Sequence, residues 1–136
     1  IVNNPLKTRF DTNYAARLLS ESGHPGDPDY GYATYAGHLI LAQSALDNDD
    51  VTTACGHLLE AAATTGFRSI EESGPEVSVV RALLERGGQS DAVLKYLNRF
   101  YTLWPRGASV LDRWAAAIQA GRMPNFNNRA AGPARP

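Results

Sequence analysis

The sequence predicts an all-α chain of about six helices, arranged as a short right-handed stack of helical hairpins. Three observations carry that reading. Val51, Ala54, Cys55, Leu58, Leu59 and Ala62 fall at i, i+3, i+4, i+7, i+8 and i+11, one apolar stripe on a helix. The polar run Asp47-Asn48-Asp49-Asp50 separates this segment from an apolar one before it and offers N-cap oxygens to the second helix. Gly87-Gly88, Pro105 and Gly121 stand where later periodic segments end. Two helices joined by so few residues lie antiparallel.

Composition sets the bounds. The 136 residues are 43% hydrophobic and 20% charged, as in an ordinary globular chain. One core of this length is self-sufficient. A formal net charge of −1 gives no global field favouring nucleic acid or an anionic membrane. No apolar run approaches the roughly 18 residues of a membrane span, so no membrane insertion is expected. Cys55 is the single cysteine, so it forms no intrachain disulfide, and its place on the stripe reads as a small buried hydrophobe. One cysteine assigns no redox compartment. The chain begins at Ile1 rather than methionine, so it reads as a processed or trimmed product whose signal segment, if any, lies outside it.

Taken in order, residues 1–10 read as extended, with Pro5 interrupting any helix. Asp11 or Thr12 can cap a helix whose apolar face is Tyr14, Ala15, Leu18 and Leu19, and which breaks across Ser20 to Pro28. That helix reads as the second half of an earlier hairpin. The segment from Tyr30 is apolar almost all round between Leu39 and Ala42, so it should be buried on more than one side. Thr65 to Gly74 reads as a polar connection that tucks Phe67 and Ile70 onto the core. Pro75 suits the first position of a helix carrying Val77, Val80, Leu83 and Leu84. Ser90 should cap a further helix with Val93, Leu97, Phe100, Tyr101 and Trp104 on one side, stopped by Pro105. A last helix spans about Ser109 to Ala120, with Leu111, Trp114, Ala115 and Ile118 as its stripe. Beyond it Phe126 can anchor the chain end, and residues 127–136 form a tail rich in Asn, Arg, Ala, Gly and Pro that folds only by docking on something, such as a partner. The folded repeat domain is thus expected over residues 11–126.

The central hairpin resembles a tetratricopeptide repeat, a helix-turn-helix of about 34 residues. With the turn at Asp49-Asp50 as anchor, Leu41 and Ala42 take the places of the first helix's Leu-Gly. Ala54 takes the small position, and Leu58 and Ala61 the later packing positions. Ala42 stands where glycine is usual and His38 where tryptophan is common, and no proline lies near Gly66. A longer ordered series extends the likeness. It runs from Tyr30-Gly31-x-Ala33 through Glu72-Ser73-Gly74-Pro75 and Ala82-Leu83-Leu84-Glu85-Arg86-Gly87 to Leu111-Asp112-x-Trp114 and Met123-Pro124-x-Phe126. It looks like the C-terminal segment of a group of bacterial tetratricopeptide-like proteins of unassigned role. Tyr35 and Ala36 replace the His-His pair frequent in that group, and Glu76 replaces an asparagine. The resemblance implies a tetratricopeptide-like α-solenoid and a role in protein assembly.

Motifs for chemistry are sparse. His24, His38 and His57 show no metal-ligand spacing, so no metal or other cofactor is expected, although His38 and His57 could face one another across the hairpin. There is no nucleophile elbow and no phosphate loop, and Cys55 has no evident base. No catalytic residue is assigned. Arg81, Arg86, Arg99, Arg106, Arg113 and Arg122 are interspersed with acids, which argues against nucleic acid.

One constellation points outward. Tyr32, Tyr35 and His38 follow at three-residue steps on the hairpin's first helix, the element that lines the concave groove in stacked hairpins. With Ser73 and Pro75 they form the expected partner-binding set. The bland alternative is that the tyrosine rings pack on the preceding helix. The expected function is a non-catalytic protein-protein interaction or assembly module binding another protein or peptide. The alternatives are a small-ligand binder or enzyme with a pocket around Tyr35 and His38, and a structural subunit of a homo-oligomer.

Overall fold

The computed structural model describes residues 5–22 and 30–129, and every regular element among them is helical. The all-α class is as predicted, with seven α-helices and one 3-10 turn among the described residues. They fall into two compact units, Ile1–Gly66 and Phe67–Pro136. No helix among the described residues is long and apolar enough to cross a membrane.

In the first unit, α1 (Pro5–Ser22) and α3 (Val51–Ala62) both pack against α2 (Tyr30–Asp47). Helix α1 corrects the expectation of an extended start. It begins at Pro5 rather than at Asp11 or Thr12, because proline lacks only an N–H that the first helical turn leaves unused. Residues 1–4 lie outside the described residues; of the break expected over Ser20 to Pro28, residues 20–22 are still helical and 23–28 lie outside the described residues. Double-sided packing is why α2 is apolar all round: Ala33, Tyr35, Leu39, Ala42 and Leu46 are all buried.

The turn after α2 is closed by two successive aspartates. Asp49 takes a left-handed φ of 59°. Its N–H then donates to Leu46 O at 2.9 Å and that of Asp50 to Ala45 O at 2.8 Å, a Schellman closure. The Asp50 carboxylate next accepts the Thr53 N–H, capping α3 as the sequence predicts. At the far end of the hairpin, buried Thr64 donates its hydroxyl to Gly31 O at 2.6 Å. A Cβ on Gly31 would lie 2.4 Å from Gly66 O, so only glycine admits this closure. The stripe of α3 is rotated from the expected one. Ala54, Leu58 and Ala61 are fully buried, whereas Leu59 is 37% exposed.

The second unit opens with α4 (Arg68–Ser73), a short helix where a polar connection was expected, seated by buried Ile70. Pro75 does not start a helix. Gly74, at φ 79°, turns the chain away, and α5 (Ser78–Arg86) begins three residues after the proline. The Glu76 carboxylate accepts the Ser78 N–H at 2.8 Å and so serves that helix start. In α6 (Ser90–Leu103), Ser90 is the first helical residue and not the cap; Gln89 holds the cap position, and its side chain does not cap the helix. Pro105 stops α6 and opens a 3-10 turn (Pro105–Gly107) leading into α7 (Ala108–Gln119).

The core of this unit is aromatic. Tyr96 and Phe100 have ring centroids 5.0 Å apart, Trp104 and Trp114 6.1 Å, and Trp114 and Phe126 5.1 Å edge-on. Each buried ring contributes about 1.5–3 kcal/mol through the area it removes from water. Tyr101, expected on the stripe, is 38% exposed, and Tyr96 is buried instead. After α7 the chain forms a strap: Phe126 is 1% exposed, as its anchoring role requires, and Trp114 Nε1 donates to Asn125 O at 3.3 Å. Residues 127–129 of the expected tail continue this strap; 130–136 lie outside the described residues.

Two substitutions test the rotated stripe on α3. Ala54→Leu should cost about 1–3 kcal/mol in urea unfolding by overpacking. Leu59→Ser should stay within about 0.5 kcal/mol of the parent. The reverse order of effects would return the stripe to its sequence-read register.

Candidate functional site

Three-residue steps along a helix turn the side-chain direction by about 60° each, so Tyr32, Tyr35 and His38 do not share one face. Tyr32 is 44% exposed and Tyr35 only 7%, while His38 is half-buried toward α3. Tyr35 therefore belongs to the packed interior, and a partner surface that includes its ring is corrected accordingly. Tyr32 has a neighbour that its sequence position did not reveal. The Tyr14 side chain of α1, 40% exposed, hydrogen-bonds with it. Burial, followed by Tyr14, raises the Tyr32 hydroxyl above its ordinary pKa.

His38 meets His57 across the α2–α3 hairpin, with their Nδ1 atoms 3.0 Å apart. The ring centroids are 5.2 Å apart, close to the nitrogen separation plus a ring radius at each end, so the two nitrogens point at one another. One ring donates its Nδ1–H and the other accepts. Burial, then the neighbouring His57, lowers the His38 pKa, and Glu60 opposes the shift. Cys55, two residues before His57, is half-buried, and burial raises its thiol, which disfavours a thiolate. Among the described residues no group of three or more His, Cys, Asp or Glu side chains is placed to hold a metal ion.

Ser73 and Pro75 belong to the second unit, where the chain itself uses them. Arg129 Nη1 donates to Ser73 O and to Pro75 O, both at 2.9 Å. Its guanidinium lies over the Trp114 ring, 5.4 Å from the centroid. Arg129 gave no sequence signal, because it sits in a tail without periodicity. Elsewhere in this unit, a groove of about 380 Å³ runs between α6 and α7 over Leu94, Leu97, Leu111 and Ala115. Tyr101, at its side, donates its hydroxyl to Asp112 Oδ1; burial first and then that carboxylate push the phenol up to about 12. A scan against protein-family models and searches of curated proteins and of solved structures find no match to the chain.

The histidine pair gives a pH dependence of known sign. The unfolded chain takes a proton at His38 near the ordinary imidazole value of 6.5, whereas the folded chain resists it. Stability should be full above that value and fall as pH drops from 6.5 toward the lowered folded value. Urea unfolding between pH 5 and 8 should show this slope in the parent and a shallower one in His38→Gln. An equal slope in both would assign the titration to other groups.

Proposed function

We propose that the chain is a non-catalytic interaction module of tetratricopeptide-like type, which binds a protein or peptide through the tyrosine face of α1 and α2. The observation that carries the reading is the Tyr14–Tyr32 pair. Two large amphipathic rings from neighbouring helices stand more than a third exposed and linked to each other, although the core beside them has buried Tyr35. Tyrosine offers contact area and a hydrogen-bonding tip at small entropic cost, which is why it is enriched in binding surfaces. The hairpin itself supports the tetratricopeptide-like part. Ala54 and Ala61, which take the small and packing positions of that pattern, are fully buried. A catalytic reading has no comparable support, because Tyr35 is buried and the Ser73 and Pro75 carbonyls are engaged by Arg129.

The test is capture from the native source with the parent chain and with Tyr32→Ala, followed by affinity measurement on the recovered partner. Loss of one exposed aromatic anchor should weaken binding about tenfold, ~1.4 kcal/mol, with the melting temperature unchanged. Equal affinity of the two chains would overturn the proposed face.

A further inference from the structure

The loop between α4 and α5 presents a polar cradle that is shaped before any side chain enters it. Gly74 has a φ of 79°, and a Cβ there would lie 2.6 Å from the Trp104 ring, so this backbone is seated directly on the indole. The Gly74 N–H donates to Ile70 O at 2.9 Å, which ends α4. Pro75 is buried with its φ fixed by its own ring. Glu76 is held twice: its carbonyl accepts the Tyr96 hydroxyl at 3.0 Å, and its carboxylate accepts the Ser78 N–H at 2.8 Å. None of these contacts uses Arg129. They nevertheless leave the Ser73 and Pro75 carbonyls aimed at one point beside the Trp114 face, where both accept from the same guanidinium nitrogen at 2.9 Å. The Glu76 carboxylate is engaged by Ser78, and it feels the Arg129 charge only as the least of the influences on its pKa.

Two carbonyls beside an indole face suit a planar guanidinium better than a lysine ammonium, which is drawn to a ring face but cannot stack on it. Three residues upstream, Phe126 fills the edge of the same Trp114 ring and carries Arg81 5.7 Å from its centroid. Between these two anchors, Asn127 and Asn128 are exposed. We propose that the loop from Ser73 to Glu76 and the Trp114 face form an arginine-recognition site, filled in cis by Arg129, that takes the arginine of a Phe-x-x-Arg peptide once the strap is released. The strap is then a tethered competitor, and the proposal does not depend on the tyrosine face.

The experiment uses the full chain carrying Arg129→Ala, with Nα-acetyl-arginine amide as the probe and the Trp114 indole N–H followed by NMR. The variant should bind the probe with a Kd of about 1 mM and shift the Trp114 resonance, and its lowered melting temperature should recover. The parent chain should bind at least about tenfold more weakly, because the tether keeps the local concentration of Arg129 high. Nα-acetyl-lysine amide should bind more weakly than the arginine probe. If Arg129→Ala does not fold, Arg129→Gln is titrated in the same way. A folded variant whose Trp114 resonance does not respond to the arginine probe, or responds equally to the lysine probe, overturns the proposal.

Discussion

In the first unit everything depends on how closely α2 can approach the helices on either side of it. Ala33, Ala42, Ala54 and Ala61 are fully buried, so at these points only a methyl group stands between a backbone and its neighbours. Close axes bring dispersion contacts along the length of each helix. They also place the backbone of α2 near enough to the end of α3 for Thr64 to reach Gly31 O, and near enough at mid-helix for two imidazoles to touch directly. Larger residues on these faces would move the polar partners out of reach even where their own side chains could be accommodated.

Alanine-lined seams have a weakness of their own. Small residues at regular spacing look much the same after a slip of one turn, so apolar packing alone discriminates poorly between registers. The polar contacts across the seams remove that ambiguity. Thr12 Oγ1 donates to Ser44 Oγ between α1 and α2, and His38–His57 and Thr64–Gly31 O link α2 to α3. A one-turn slip would leave half-buried imidazoles and a buried threonine hydroxyl without partners, at a cost well above the net value of the bonds themselves. The second unit solves the same problem by shape. Rings as large as Trp104, Trp114, Tyr96 and Phe100 fit against one another in few ways, and this adds to polar contacts such as Tyr96–Glu76 O and Tyr101–Asp112.

Much of the fold was legible because periodicity and turn chemistry are local. The Asp47–Asp50 turn, the cap from Asp50, the double burial of α2 and the stops at Gly87, Pro105 and Gly121 all follow from residues within a few positions of the feature. What escaped was decided by neighbours distant in sequence. Leu59 fits the stripe of α3 by spacing, but α2 lies on the side of Ala61, and Leu59 remains exposed. Tyr35 and Tyr32 differ by three residues and look alike in sequence; the packing around α2 buries one and exposes the other. Pro75 looked like a helix start because proline favours that position. The left-handed turn at Gly74 and the Trp104 ring behind it set the link instead.

The candidate sites divide along the same line. A face-to-face meeting of His38 and His57 could be anticipated, since a short turn fixes which residues of an antiparallel hairpin stand opposite. Arg129 could not, because its partners are backbone carbonyls more than fifty residues away and any residue type supplies those. A site built from main-chain oxygens leaves its trace only in what holds the backbone: a glycine forced to positive φ, a proline after it and an aromatic ring beneath. Gly74, Pro75 and Trp104 are that trace. It specifies the position of the cradle while leaving the identity of its occupant to the chemistry of the space enclosed, which here is that of a flat cation on an indole.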